Sequence, residues 1–483
     1  MSELTKNFVN AVLKDYLYYA TVTQLAEKIH CGDLSPVNLT EHLLERIEQL
    51  NTTLRAYITV TPERALKEAQ EAKDALNEGN LLGPLHGVPY AVKDIFDVKG
   101  LPTTAGTNIL SDNFPFSDCS AVKRLKRAGM ILLGKTYTSP LAADIIGINH
   151  NQGTPHNPWA ENEHIPGGSS SGSAVAVASG LAPMALGSDT AGSVRTPASL
   201  CGTVGLKTTV GRISRNGVYP LCWSLDTVGL LTRSVEDAAL IYEVLKGTDS
   251  GDVSTFNVPD HSPKYSIKAG IKNLKITFGE TILFDDIDPE TEKAVRESGE
   301  VFHSLGAKVS SMEIPEFAEA NSIDWWKIFS SESYYLNRNL IENHSKELDS
   351  SVQWMVGGQK TKAVDYFQML RYQTELKRKL SETLSDVDAI ISPTTALPAI
   401  PIKTVDSNSE AYEKFKPKYM RNTQLGNFLN LCAVSLPCGF SSKGFPIGLM
   451  IYAKPFKEEI ALRIAYAYEN ATNWHNHHPS LFK

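Results

Sequence analysis

No run in this sequence is apolar for long enough to cross a bilayer. The least polar stretch, Ala174 to Gly187, falls short of the roughly 20 residues a spanning helix needs, and Ser179, Gly180 and Pro183 interrupt it. An excess of positive charge is also missing. Lys and Arg number 47 against 54 Asp and Glu, a formal net charge of −7, so the footprint of nucleic-acid or anionic-membrane binding is lacking. Six cysteines (Cys31, Cys119, Cys201, Cys222, Cys432 and Cys438) stand without C-x-x-C spacing, which points to reduced structural thiols rather than zinc or redox chemistry. The start, Met1-Ser-Glu-Leu-Thr-Lys-Asn, has an early acid and none of the basic and apolar regions of an export signal. These absences lead to the expectation of a cytoplasmic protein with no membrane and no nucleic-acid partner. His475, His477 and His478 could hold a metal only weakly and read as a solvated tail, so neither a metal nor an organic cofactor is expected.

What is present is an ordinary globular composition, 42% hydrophobic and 21% charged over 483 residues. That length would allow about three domains, but no repeat or low-complexity linker divides it. The first 80 residues read as helices. Ser35-Pro36 and Thr61-Pro62 are start signals, and Leu39, Leu43, Leu44, Ile47 and Leu50 form a stripe at helical spacing. From Val88 onward short apolar runs alternate with helical segments. Met130-Ile-Leu-Leu, Leu274-Lys-Ile-Thr-Phe, Ala389-Ile-Ile, Ala433-Val-Ser-Leu and Ile447-Gly-Leu-Met-Ile-Tyr read as strands. Further helices begin at Ser234-Val-Glu-Asp and at Asp288-Pro289. The pattern predicts an α/β protein, with residues 1–80 a helical segment packed on a domain of residues 81–483.

Three catalytic patterns match by letters and fail by context. Gly129-Met-Ile-Leu-Leu-Gly134-Lys135-Thr136 fits the phosphate loop, but its variable positions want burial as a strand. Gly168-Ser169-Ser170-Ser171-Gly172 fits a nucleophile elbow, yet Glu163-His-Ile-Pro-Gly is no strand to lead into it. Ser120-Ala-Val-Lys123 fits S-x-x-K, but Lys123 belongs to the charged run Lys123-Arg124-Leu-Lys126-Arg127 of a helix face.

The informative region is Gly167-Gly-Ser169-Ser170-Ser171-Gly172-Ser173, a small-residue helical stretch, and then Gly187-Ser-Asp189-Thr190-Ala191-Gly192-Ser193-Val194-Arg195. A serine that attacks a carbonyl needs backbone N–H donors for the resulting oxyanion, hence a tight turn of small residues. Thr190-Ala191-Gly192-Ser193 supplies one. No histidine lies in either segment, so a Ser-His-Asp arrangement has no second member. Lys93, closing the apolar run Gly87-Val-Pro-Tyr-Ala-Val-Lys93-Asp94, could act as base if desolvation leaves its amine neutral.

These residues identify a resemblance to the amidase signature family. It is carried by Ile165-Pro-Gly-Gly-Ser-Ser-Ser-Gly-Ser through Gly205-Leu-Lys-Thr-Thr-Val-Gly-Arg-Ile-Ser214, with Ser224-Leu-Asp-Thr-Val-Gly229, Ser392-Pro-Thr-Thr395 and Ser435-Leu-Pro-Cys-Gly439 as later landmarks. The resemblance implies a large mixed sheet covered by helices on both faces, and a Ser-cisSer-Lys triad of nucleophile Ser193, bridging Ser169 and base Lys93. It further implies an oxyanion hole from the N–H groups of Thr190, Ala191, Gly192 and Ser193, and a cis peptide between Gly168 and Ser169. Asp189 and Arg195 are expected to hold the loop. Ala191 and Ser171 stand where glycine is common, and Ala191 matters if its φ must be positive. The implied activity is hydrolysis of a small-molecule carboxamide to a carboxylate and ammonia or an amine, through an acyl-enzyme. One alternative is the glutaminase component of a tRNA-dependent amidotransferase, which grips glutamine's amino group with a carboxylate. The matching stretch here, Met420-Arg-Asn-Thr-Gln-Leu425 before Asn427, has none. A second alternative is an inactive scaffold on the same fold, which the intact triad positions disfavour.

Overall fold

The computed structural model describes residues 17–405 and 410–480, so the N-terminal heptapeptide considered above lies outside the described residues. Eleven strands form one mixed sheet: β1 (Tyr57–Val60), β2 (Pro89–Lys93), β3 (Ile131–Thr136), β4 (Met184–Asp189), β5 (Val204–Lys207), β6 (Thr227–Thr232), β7 (Lys275–Gly279), β8 (Lys308–Met312), β9 (Ala389–Pro393), β10 (Cys432–Phe440) and β11 (Pro446–Ala453). Their order is β1-β3-β2-β4-β6-β5-β10-β11-β9-β7-β8. β2 runs parallel to both β3 and β4, whereas β10 pairs antiparallel with β5 and β11. Every residue of β2, β3, β4, β5 and β6 is buried, as expected of strands covered on both faces. The helix Ser171–Ala178 packs on β4 and β2, Pro62–Asn77 on β3, and Glu458–Ala471 on β10 and β11.

All five strands read from the sequence are present, as β3, β7, β9, β10 and β11. Others were illegible. β1 lies within the first 80 residues, which therefore are not helical throughout; its register on β3 makes this segment part of the sheet. β4 follows a helix within one run of small residues, Ala174 to Gly187, where neither period is distinct. β8, Lys308–Met312, is an edge strand with only partial burial. The phosphate-loop match is β3 itself. Its Lys135 is fully buried, 2.6 Å from Asp94 Oδ1, and donates to the Pro102 carbonyl. The terminal histidines are not a free tail: His478 stacks on Tyr19 at 4.0 Å and His477 lies against Phe440. Among the described residues, all six cysteines are unpaired and no helix is long and apolar enough to cross a membrane.

The helix Val235–Leu245 begins as read, with the Asp237 N–H donating to Ser234 Oγ. Its first N–H, from Val235, is satisfied by the buried Glu469 of the C-terminal helix. Burial pushes the Glu469 carboxyl up to about 8, the Val235 N–H opposes this, and Asp237 and Glu236 add to it. The folded value thus exceeds the unfolded one, about 4.3, so the native state holds the extra proton between those values. Stability from this site therefore falls as pH rises through that window. Glu469→Gln should remove the dependence. Denaturant titrations from pH 5 to 8 should show the variant gaining on the parent by up to about 1.4 kcal/mol per pH unit; a constant difference would show Glu469 ionised throughout.

Candidate active site

β2 delivers Lys93 from the interior of the sheet, at the strand's last position and fully buried. Its Nζ hydrogen-bonds the hydroxyl oxygens of Ser169 at 2.7 Å and Ser188 at 2.9 Å. Burial lowers its pKa to about 7, against the opposing charges of Asp189 and Asp226. Ser188 is the site residue that sequence reasoning missed. It is the penultimate residue of β4, which runs parallel to β2 with Val92 opposite Leu186. Only recognition of β4 as a strand beside β2 could have exposed it.

Ser169 lies in the glycine-rich loop, and its peptide bond to Gly168 is cis. The packing there excludes larger residues: a Cβ on Gly168 would lie 2.4 Å from the Asp144 carbonyl oxygen. The Ser169 carbonyl accepts from Thr138 Oγ1. Ser170 serves the scaffold, since its hydroxyl donates to the Ser188 carbonyl and its N–H donates to the Ser193 carbonyl at 3.1 Å. That bond laces the two segments together. Ser193 is 5% exposed, and among the described residues its hydroxyl makes no hydrogen bond, to Ser169 or to any other group. Ser171 opens the helix Ser171–Ala178 with negative φ, so the usual glycine is not required at that position.

The turn before Ser193 is shaped by a buried ion pair. Arg195 donates through Nε and Nη2 to the two oxygens of Asp189, at 3.0 and 2.9 Å, with both side chains fully buried. Burial alone would raise the Asp189 pKa, but Arg195 and Lys207 hold it well below the usual carboxylate range. The same carboxylate accepts the N–H groups of Gly192 and Val194. Of the four expected donors, Gly192 has its N–H taken by Asp189 Oδ1 at 2.8 Å. The N–H groups of Thr190, Ala191 and Ser193 make no backbone hydrogen bond among the described residues. Gly192 has φ 129°, and a Cβ there would meet Thr423 Oγ1 at 2.1 Å; Ala191 has no positive φ, so alanine fits without strain.

Distant segments complete the frame. Thr423 and Asn427, on the helix Glu410–Phe428, donate to the Ala191 carbonyl and to Asp189, respectively, and Arg195 also donates to Asn427 Oδ1 and Tyr452 OH. Asp226 accepts from Thr190 Oγ1 at 2.7 Å and from the N–H groups of Leu221 and Cys222. A cleft lined by Ile95, Ala142, Tyr219, Leu221 and Trp223 opens beside Ser188 and Thr190. Asp189→Ala should strand the Arg195 charge and cost about 3–5 kcal/mol in denaturant unfolding. The double variant Asp189→Ala/Arg195→Met should recover part of it, whereas a fully additive double variant would show the two side chains to be uncoupled.

Residues 38–462 match the Amidase family model. The chain is 35% identical to the A component of the glutamyl-tRNA(Gln) amidotransferase of Geobacter metallireducens, over 95% of this chain and 98% of that protein. It is also 35% identical to an amidase of Pseudomonas putida, with the same coverage of each. Among solved structures, the native peptide amidase of Stenotrophomonas maltophilia superposes with a TM-score of 0.80 at 30% identity, covering 94% of this chain and 97% of that one. On the family match and these relatives, the chain belongs to the amidase family.

Proposed function

We propose that this chain hydrolyses a carboxamide through an ester formed on Ser193, with Ser169 as proton bridge and Lys93 as base. The observation that carries the reading is a buried amine, lowered to about 7, in contact with the Ser169 hydroxyl. Once neutral, Lys93 accepts the proton of Ser169 as Ser169 accepts that of Ser193. Ser193 Oγ then bonds to the amide carbon, and the carbonyl electrons move onto oxygen, where the N–H groups of Thr190, Ala191 and Ser193 stabilise them. Collapse of this intermediate breaks the C–N bond while the relay returns the proton to the departing nitrogen. Water attacks the ester by the same relay, releasing the carboxylate and restoring the Ser193 hydroxyl. The reaction needs no metal, nucleotide or partner protein.

The glutamine-specific reading, as the glutaminase component of an amidotransferase, draws on the amidotransferase relatives. It needs an acid to hold the substrate's amino group, and Met420–Leu425 carries none. A free amidase is therefore the favoured reading.

Purified chain should release ammonia or amine from simple amides without ATP, metal or tRNA. Glutamine as sole substrate, turned over only with added partner proteins, would favour the other reading. Ser193→Ala should lose turnover by roughly a thousandfold or more with an unchanged unfolding midpoint; near-parental activity would remove Ser193 from the chemistry. The acylation rate should rise with pH through an ionisation near 7, because the neutral amine gains population above that value. Lys93→Ala should lose both the rate and this pH profile, and Lys93→Arg should not restore them, since a guanidinium stays protonated. Labelling of Ser193 by an electrophilic serine reagent at equal rates with and without Lys93 would assign the activation elsewhere.

A further inference from the structure

The helix Glu410–Phe428 turns one face toward the Ser193 site over most of its length. At about 100° per residue, Tyr412, Lys416, Thr423 and Asn427 fall within an arc of about 60°. Three of them make contacts that fix where this face points: Tyr412 OH donates to Asp144 Oδ1, Thr423 to the Ala191 carbonyl and Asn427 to Asp189. Pro417 lies inside the helix, yet the contacts of Tyr412 before it and Thr423 after it keep both halves turned the same way. Lys416 shares this face. It is seven residues from Thr423, about 10 Å along the axis.

Its ammonium sits 5.3 Å from the ring centroid of Tyr412 and 5.4 Å from that of Trp326. Two aromatic faces favour a cation and displace part of its hydration. Among the described residues no carboxylate reaches ion-pair distance of Lys416. Asp144 is buried, and its oxygens are filled by Tyr412 OH and the N–H groups of Ile146, Gly147 and Ile148. Asp349 accepts from His150, and Glu413 is exposed. Between Lys416 and Thr423 the helix carries Met420, and Trp326 continues into a cluster with Trp325, Phe329 and Trp354.

We infer that Lys416 binds a carboxylate on the substrate, about two helical turns from the scissile carbonyl, with an apolar spacer between them. A charge-assisted bond to an ammonium that lies against two rings and feels the buried Asp144 only through space, with no carboxylate paired to it among the described residues, supplies the recognition, and Met420 and the aromatic cluster suit the spacer. The inference rests on the amidase reading of Ser193 and narrows its substrate to carboxylate-bearing amides.

The carboxylate could lie on either side of the scissile bond, and two substrate series separate these cases. One is α,ω-dicarboxylic monoamides of increasing chain length beside their methyl esters; the other is N-(ω-carboxyalkyl) amides beside theirs. In one series the acid should exceed its ester by roughly tenfold in kcat/KM, mainly through KM, with an optimum chain length. That ratio should fall to near one in Lys416→Met, which keeps the aliphatic stem against the rings, and persist in Lys416→Arg. Lys416→Glu should invert it, favouring amides that end in an ammonium, which a merely structural lysine would not do. Equal use of acid and ester in both series by the parent, or a ratio that survives Lys416→Met, overturns the subsite and leaves the amidase reading standing. If no amide is cleaved and Ser193 is not acylated, the amidase reading falls and the inference with it.

Discussion

Lys93 is an amine buried without a carboxylate in contact, and the rest of the site is arranged around that constraint. Its two hydrogen-bond partners are hydroxyls, Ser169 and Ser188. A hydroxyl can accept from an ammonium or donate to a neutral amine, so this surrounding tolerates both charge states. Two buried acids, Asp189 and Asp226, bias the balance without closing it. Asp189 is held by Arg195, and Asp226 by Thr190 and the backbone of Leu221 and Cys222, so their charges reach Lys93 only through space. Had either carboxylate paired directly with Lys93, the amine would stay protonated near neutral pH and could not accept a proton.

The same economy appears at the Ser193 turn. One carboxylate, Asp189, both neutralises the buried Arg195 and collects the N–H groups of Gly192 and Val194. The N–H groups of Thr190, Ala191 and Ser193 are left without backbone partners among the described residues. Removing a partner from such a pair leaves a buried charge, so the turn and the ion pair stand or fall together. The remaining support comes from more than two hundred residues away, through Thr423, Asn427 and Tyr452.

Much of this was legible in the sequence. The apolar run ending at Lys93, the glycine-serine loop and the small-residue turn before Ser193 each announced themselves, because tight turns and buried strands restrict residue choice. The strand character of Met130-Ile-Leu-Leu correctly excluded a phosphate loop. Illegible were features set by contacts between distant segments. Ser188 acquires meaning only beside β2, and the loss of the Gly192 N–H depends on how the Asp189 side chain curls back. Lys416 reads as one of several lysines in Glu410–Phe428 until Thr423 and Asn427 orient the helix. β1 is four residues between helices, too short for its alternation to stand out.

The state of the Lys93 amine is directly measurable. With lysine labelled at the ε position, the resonance absent from Lys93→Met identifies this residue in the parent protein, and its shift can be followed from pH 5 to 11. The account predicts a midpoint near 7; a midpoint at or above the ordinary lysine value of about 10.4 would contradict it.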